Sequence, residues 1–240
     1  IVQELANEYL TEQGITILND VTLNSVSNDG NKPVITADGQ NYTFDDVLYA
    51  TGRRPNTTNI GLENTDITTN ERGAIVVNDT CESSVPGVYA VGDVNGGPQF
   101  TYISLDDFRI VFGALTGNGH YTLKDRKNIP YTTFLTPPLA RVGLTEEDAI
   151  NKGYTVKTKE MLVATMPRAH VNDNLKGAFK IVVDAESNLI LGATLYSQSA
   201  EELINMIKVA MDNNIPYTYF KNQIFTHPTM AENLNDLCNF

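Results

Sequence analysis

The 240-residue sequence predicts an α/β region followed by a separate α+β domain. Three observations lead to this prediction. Residues 1–50 have the order helix, strand, antiparallel meander and buried strand. A second short apolar run, Val88–Val91, ends in a Gly-Asp pair, where open α/β sheets bind their ligands. After a linker at 118–130, strands are followed by helices, which is typical of an antiparallel sheet flanked by helices.

The first 56 residues are predicted to form the second half of a nucleotide-binding α/β unit. Helical spacing of apolar residues begins at once, and Gly14 is a typical residue just after a helix end. Turn residues separate two alternating stretches, which predicts a hairpin. The predicted elements are a helix at 1–13, strands at 14–18, 21–26 and 32–37, and a buried strand at 45–50. The glycine-rich GxGxxG loop of a first half does not occur in the chain.

Residues 57–125 contain a second α/β remnant. A polar, turn-rich stretch ends in a predicted strand at 74–77, and the predicted strand 88–91 follows. Gly92 and Asp93 follow that strand, at the edge where the Asp93 carboxylate can accept hydrogen bonds from sugar hydroxyls. A helix is predicted over Phe100–Leu115 with Thr101 as its N-cap. The amides at its start could face an electron-rich ring edge.

The C-terminal half has the pattern of an α+β domain. The predicted elements are a strand at 131–136, a helix at 144–150 capped by Thr145, strands at 155–165, 178–184 and 189–196, and a helix at 199–213. The last helix has an apolar face that includes Leu203, Ile207 and Ala210.

Composition argues against several classes of partner. The net charge of −12 makes nucleic acid an unfavourable partner, because a polyanion would be repelled. No apolar run approaches the length of a membrane span, and no secretory leader pattern opens the chain. Cys81 and Cys238 form no CxxC pair and favour a reducing cytoplasm over a disulfide framework. His120 and His170 have no nearby ligand-type residues, so we expect no metal site.

The segment from Phe225 to Glu232 is the stretch whose residue types best suit a catalytic acid–base pair. It places His227 before a proline and five residues ahead of Glu232. Imidazole is the side chain whose unperturbed pKa lies near neutral, and an adjacent carboxylate would fix which ring nitrogen carries the proton. A plainer interpretation is open, since Thr229 and Glu232 also form a capping box for a helix over 230–237. Taken alone, these residues favour the capping box by about two to one.

Three motifs follow one another along the chain. They are residues 50–56 (ATGRRPN), residues 85–93 (VPGVYAVGD), and His227-Pro228-Thr229 with Glu232. In this order they resemble the flavin-dependent pyridine nucleotide–disulfide oxidoreductases, the family of glutathione reductase, dihydrolipoamide dehydrogenase and mercuric reductase. The resemblance covers the whole chain as the C-terminal half of such an enzyme. Residues 99–107 and 224–237 are most similar to the bacterial reactive-chlorine-resistance flavoproteins, some of which reduce copper(II) or hypothiocyanous acid with NAD(P)H.

The resemblance implies a division into three domains and a homodimer. Residues 1–56 would belong to an NAD(P)-binding domain, residues 57–125 to an FAD-binding domain, and residues 126–240 to a dimerisation domain. The homodimer would form through the helix at 199–213 and the C-terminal segment.

The resemblance also implies roles for single residues. Asp93, in its pair with Gly92, would bind the ribityl chain of FAD, and the helix start at Thr101 and Tyr102 would lie near the flavin pyrimidine edge. Gly52 and Arg53 would lie at the crossover from the NAD(P) domain to the FAD domain. His227 and Glu232 would act in trans on a cysteine pair near the partner's flavin. The imidazole would take a proton from the attacking thiol and return it to the leaving one.

Departures from the family pattern limit what this chain can do. The ADP-binding loop, the CxxxxC pair and the nicotinamide-binding loop do not occur, and the start at Ile1 indicates a piece of a longer protein. Phe100-Thr101-Tyr102 replaces the usual Leu-Thr-Pro, and Cys238 stands alone where mercuric reductases carry a cysteine pair. The predicted parent reduces a small oxidant (a disulfide, hypothiocyanous acid or a metal ion) with NAD(P)H and FAD. The alternative is a non-catalytic homodimerisation module that binds no flavin; the oxidant and the choice of NADH or NADPH stay open.

Overall fold

A computed structural model describes all 240 residues, which divide into two compact units. Unit 1 comprises residues 1–19 and 127–240, and unit 2 comprises residues 20–126. Mixed α/β structure with antiparallel sheets flanked by helices confirms the predicted fold class. The division into domains at 1–56, 57–125 and 126–240 stays a prediction.

The helices and strands form in the following order along the chain. They are α1 (Val2–Glu12), β1 (Leu23–Asn28), β2 (Pro33–Ala37), β3 (Gln40–Thr43), α2 (Thr101–Thr116), β4 (Tyr131–Thr133), β5 (Leu139–Gly143), α3 (Glu146–Asn151), β6 (Val156–Leu162), α4 (Pro167–Val171), β7 (Ala178–Asp184), β8 (Ile190–Tyr196), α5 (Ala200–Asp212), α6 (Tyr217–Asn222) and α7 (Leu234–Leu237). No helix is both long and apolar enough to cross a lipid bilayer.

Unit 1 is built on a five-stranded antiparallel sheet with the order β4-β5-β8-β7-β6. The central strands are the most buried, because helices cover both faces of the sheet. Phe179, Ile181 and Val183 alternate along β7 and belong to the larger apolar cluster, together with residues of α5 and α7. Ala178 belongs instead to a smaller cluster, which contains Val2 and Ala6 of α1. The sheet therefore has one large core face and one smaller face covered by α1.

Unit 2 contains the meander β1-β2-β3 and the helix α2. Val34 of β2 lies opposite Thr43 of β3, and Val26 of β1 lies opposite Ile35. The buried positions of α2 are Ile103, Asp107 and Ile110, which share one face at helical spacing. An aspartate therefore occupies a core position of this helix.

Several predicted elements are wrong, and most of them lie in unit 2. Residues 14–18 and 45–50 form no strand, and Leu48 is almost fully exposed. Residues 74–77 and 88–91 take part only in isolated bridges. A buried strand needs neighbours that supply hydrogen bonds and cover its side chains, and no neighbouring strand pairs with these runs.

Smaller corrections concern element ends in both units. Helix α2 begins at Thr101 with Phe100 as N-cap, one residue before the predicted cap. β6 ends at Leu162 and a 3₁₀ turn follows, so the predicted strand 155–165 is too long. The helix predicted over 230–237 forms as a 3₁₀ turn at Ala231–Asn233 followed by α7. β5, α4 and α6 were not predicted, because they are short and weakly periodic.

Candidate functional site

The side chains of His227 and Glu232 are in direct contact in unit 1. The Nδ1 atom of His227 lies 2.8 Å from Oε2 of Glu232. An ionised carboxylate can only accept hydrogen bonds, so Nδ1 carries the hydrogen and a neutral ring keeps its lone pair on Nε2. The imidazole is 69% exposed, so it is open to solvent or to another molecule. We call these two residues the dyad.

Glu232 also caps the helical segment that follows, so both interpretations of this residue describe contacts in the structure. Its Oε1 accepts a hydrogen bond from the backbone N–H of Thr229 at 3.2 Å. The Oγ1 of Thr229 accepts one in return from the N–H of Glu232 at 3.3 Å. These reciprocal bonds are those of a capping box. One carboxylate oxygen therefore holds the backbone while the other holds the imidazole.

The segment that carries His227 runs from α6 to α7 and contains a cis His227-Pro228 bond. The hydroxyl of Thr229 donates to the carbonyl of Thr226 at 2.8 Å. The side chain of Asn233 donates to the carbonyls of Thr229 and Met230. Backbone polar groups of this turn are thus bound by nearby side chains, which limits the positions the ring can take.

Gly92 and Asp93 form a tight turn in unit 2. Gly92 has φ +73°, and a Cβ at this position would lie 2.6 Å from Oγ of Ser104 in α2. Only glycine therefore permits this approach of the turn to the helix. The N–H of Gly92 donates to Oδ2 of Asp107 at 2.7 Å. The turn is thus fixed against the buried face of α2.

The structure brings Arg53 and Asp93 together. Nη1 of Arg53 lies 3.7 Å from Oδ2 of Asp93 and donates to the carbonyl of Gln99 at 3.2 Å. The Asp93 side chain is 47% exposed, so its carboxylate can accept further hydrogen bonds. Gly52, beside Arg53, has φ +117° and no atom within 4 Å of where a Cβ would stand.

The remaining predicted cofactor residues stand at the start of α2. Thr101 is the first residue of the helix and is exposed. The ring of Tyr102 stacks on that of Phe100, with centroids 5.0 Å apart. An aromatic pair therefore occupies the place of the family's Leu-Thr-Pro start.

Sequence reasoning missed a buried charge network around Asp107. This carboxylate is fully buried and accepts hydrogen bonds from Gly92, from Asn95 at 2.9 Å and from Arg126. Arg126 Nε also donates to Asp106 at 2.7 Å. Burial acts to lower the pKa of the Arg126 guanidinium, but bonding to Asp107 and Asp106 outweighs it and the pKa is raised. The signal was present, since Asp107 falls on the helical face of Ile103 and Ile110.

The two cysteines are free and buried. Burial, followed by the charge of Asp107, raises the pKa of Cys81 to about 11. Burial raises the pKa of Cys238 to about 12. Thiols of this kind are unreactive near neutral pH. No group of three or more His, Cys, Asp or Glu side chains could hold a metal ion.

Comparisons with known proteins match both halves of the chain to one family. Residues 129–238 match the family model for the pyridine nucleotide-disulphide oxidoreductase dimerisation domain, and residues 1–107 match that for pyridine nucleotide-disulphide oxidoreductase. The chain is 43% identical over 228 residues to the probable pyridine nucleotide-disulfide oxidoreductase RclA of Escherichia coli K12, covering 95% of this chain and 52% of that protein. It is 35% identical over 237 residues to a mercuric reductase of Staphylococcus aureus, covering 97% and 43%.

A solved structure shows the same fold. The HOCl-induced flavoprotein disulfide reductase RclA from Escherichia coli matches 99% of this chain and 55% of its own, with a TM-score of 0.94 and 41% identity. The chain therefore spans about half the length of the curated relatives it matches.

Proposed function

The chain belongs to the pyridine nucleotide–disulphide oxidoreductase family, and from this premise we propose that it acts as the C-terminal part of a dimeric enzyme using FAD and NAD(P)H to reduce a small oxidant. The matches confirm the resemblance predicted from the three motifs, including its similarity to the reactive-chlorine-resistance branch. The observation that carries the proposal is the 2.8 Å contact within the dyad, which leaves Nε2 without a partner in the chain.

The proposed role of the dyad is acid–base catalysis at a dithiol. With Nδ1–H held by Glu232, Nε2 of His227 accepts the proton of an attacking thiol and later donates it to the leaving thiolate. Proton number is conserved over the two steps. The chain's own Cys81 and Cys238 do not suit this role, because they are buried and their pKa values are raised to about 11 and about 12. We propose, as the family resemblance implies, that the thiols belong to a cysteine pair of the partner subunit.

The residues of the Gly-Asp turn fit the role of holding FAD, which supplies electron transfer when bound. Asp93 presents an exposed carboxylate that can accept hydrogen bonds from ribityl hydroxyls. Asp107 fixes the turn, and α2 offers the backbone amide of its first residue, Thr101, for an electron-rich ring edge. The glycine-rich loop does not occur in the chain, so we expect this piece alone to retain no flavin.

We further propose a homodimer that works in the cytoplasm. Residues 129–238 match a dimerisation domain. Val209 of α5 and Ile224, three residues before His227, expose large apolar side chains that a partner could cover. Relatives include mercuric reductases and a flavoprotein disulfide reductase that binds Cu(II), so the oxidant is proposed only as a disulfide, hypothiocyanous acid or a metal ion.

The decisive test uses the longer protein with both half-reactions measured separately. His227→Ala should slow transfer to the terminal oxidant while reduction of the bound flavin by NAD(P)H keeps its rate. His120→Ala is the matched control, because this exposed histidine lies outside the dyad. If His227→Ala leaves both half-reactions unchanged, the acid–base role is wrong.

A second test uses the 240-residue chain itself. Sedimentation should show a dimer, and we expect no visible flavin absorbance. A dimer that stays colourless when FAD is added, together with a longer protein that is inactive, would favour the non-catalytic dimerisation module. A monomer would count against both functions.

A further inference from the structure

We propose that Asn235 is a positioning residue of the dyad: its side-chain amide holds the segment carrying His227 against the helical segment carrying Glu232. The catalytic importance of this role rests on the proposed function, but the contacts of Asn235 and the test below do not require catalysis. Asn235 was not singled out by the sequence, because a lone Asn in a short helix is common.

One amide nitrogen of Asn235 meets three carbonyl oxygens at the end of α6. Its Nδ2 lies 2.6 Å from the oxygen of Phe220, 2.9 Å from that of Gln223 and 3.3 Å from that of Lys221. The last carbonyls of a helix have no partner within the helix, so they need donors from elsewhere. A primary amide carries two hydrogens on one nitrogen, which suits converging acceptors.

These bonds span the segment that contains the dyad. Gln223 lies four residues before His227, and Asn235 lies three residues after Glu232. Residues 224–234 connect the two anchored ends, and in this connection Ile224 is 91% exposed. Phe225 packs partly against the core, and Thr229 holds Thr226. Because the imidazole is itself exposed, its approach to Glu232 depends on where these backbone anchors hold the segment.

The far end of the helical segment is anchored independently. Nζ of Lys159, on β6, donates to the carbonyls of Asp236 at 2.7 Å and Asn239 at 2.5 Å. α7 also packs on β6 and β7. The helix that carries Asn235 is thus fixed to the sheet. Because Asn235 binds the end of α6, it also fixes the start of the segment with His227 relative to this helix.

The chemistry of the contact predicts which substitutions of Asn235 weaken the bond between His227 and Glu232. Three carbonyl oxygens at a helix C-terminus form a negative site. Asn235→Leu keeps a similar volume but removes the donor, and Asn235→Asp places a carboxylate against these oxygens. Both changes should loosen the segment and weaken the bond from Nδ1 of His227 to Glu232. Asn235→Gln keeps the amide and should restore part of the bond.

Histidine-selective ¹⁵N labelling reads the result directly, because the chain has three histidines. At a pH where the imidazoles are neutral, we expect His227 in the 240-residue chain to be mainly the Nδ1–H tautomer. In Asn235→Leu and Asn235→Asp the Nδ1–H majority should be lost, and Nε2–H should become the main form, as in free histidine. Signals of His120 and His170 should not move.

The matched control is Asn222→Leu. The side chain of Asn222 donates to the carbonyl of Thr218 within the same helix, so its loss should leave the His227 tautomer unchanged. Circular dichroism confirms folding, and if Asn235→Asp fails to fold, Asn235→Leu and Asn235→Gln carry the test. An unchanged tautomer in folded Asn235→Leu overturns the proposal, as does a wild-type ring that is mainly Nε2–H.

Failure of the proposed function gives a different result. If the longer protein with His227→Ala keeps both half-reactions while Asn235→Leu still changes the tautomer, the acid–base role is wrong and the positioning role stands.

Discussion

Different interactions stabilise the interior of each of the two units. Both buried apolar clusters lie in unit 1, where β7 and β8 are covered on both faces. In unit 2, β1 is largely exposed, and α2 exposes Leu105, Phe108, Phe112 and Leu115 along one side. Hydrophobic burial is the dominant stabilising term in folding, so unit 1 should be the more stable of the two.

Unit 2 relies more on polar contacts. Asp107 accepts from the backbone of Gly92 and from the side chains of Asn95 and Arg126 in a water-poor position. Such a network has a defined geometry, which suits a turn that positions Asp93. The comparison shows that the turn of Gly92 and Asp93 is positioned by buried charge pairing. The dyad, in contrast, belongs to the unit that contains the apolar core.

The largest expected effect comes from breaking that charge network. Asp107→Ala leaves Arg126 mostly buried without this partner, and loss of one member of a buried pair costs about 3–5 kcal/mol. Hydrogen exchange should therefore speed up at the amides of residues 88–116, while β7 amides keep their protection. Glu71→Ala, an exposed acid in the same unit, should change neither. Equal loss of protection in β7 would mean that the two units unfold as one.

Truncation of a large apolar side chain should cost more free energy of unfolding in unit 1 than in unit 2. Ile204 of α5 is 1% exposed within the larger cluster, so Ile204→Ala should lower the free energy of unfolding by about 2–5 kcal/mol in urea. Phe112 of α2 is 57% exposed, so Phe112→Ala should change it by about 0.5 kcal/mol or less. A similar cost for both would show that another surface covers α2 in solution.

The two cysteines report on opening of each unit. Burial raises the pKa of Cys81 to about 11 and that of Cys238 to about 12, so few thiolates exist at pH 8 in either closed unit. Labelling by a thiol reagent at that pH therefore requires opening. We expect Cys81, in unit 2, to label at least roughly tenfold faster than Cys238, a difference of about 1.4 kcal/mol in opening.

Single-cysteine variants, Cys81→Ser and Cys238→Ser, assign the two rates. Labelling in the opened state should rise with pH through the ordinary thiol pKa of about 8.5, because the thiolate is the reactive form. Cys238 labelling as fast as Cys81 would contradict the ranking of the units.

The smallest expected effect tests a cap in unit 1. Thr145 and Asp148 form a capping box at α3, and Thr145→Ala should cost on the order of 1 kcal/mol at pH 7. Hydrogen bonds from Thr145 lower the pKa of Asp148 in the folded state. A lowered carboxyl pKa stabilises the fold above the unfolded pKa, and the contribution is lost as pH falls through the folded value.

The stability gap between wild type and Thr145→Ala should therefore narrow below about pH 4, near the unperturbed pKa of Asp. Thermal unfolding across pH measures this gap. Glu147→Gln, in the same helical turn without the capping contact, should leave the gap's pH dependence unchanged. A gap that stays constant down to acid pH would show that Asp148 does not contribute to the cap.

Short-range patterns predicted unit 1 well. β7 was predicted with its observed ends, Thr145 was predicted as the cap of its helix, and the capping box of Thr229 was predicted with its partner Glu232. Contact between His227 and Glu232 could also be predicted, because five residues and one turn separate them. These features depend on backbone geometry within a few residues, which local sequence largely specifies.

What the sequence determined by itself is the family, the fold class and the local pairing within the dyad. The tertiary structure decided which apolar runs become strands of a sheet: the run at 45–50 did not, and the run at 88–91 forms only an isolated bridge. It also decided the contacts of Asp107 with Arg126 and of Asn235 with Phe220, which join residues 19 and 15 positions apart. Burial and long-range hydrogen bonds depend on what packs nearby, and no local pattern contains that information.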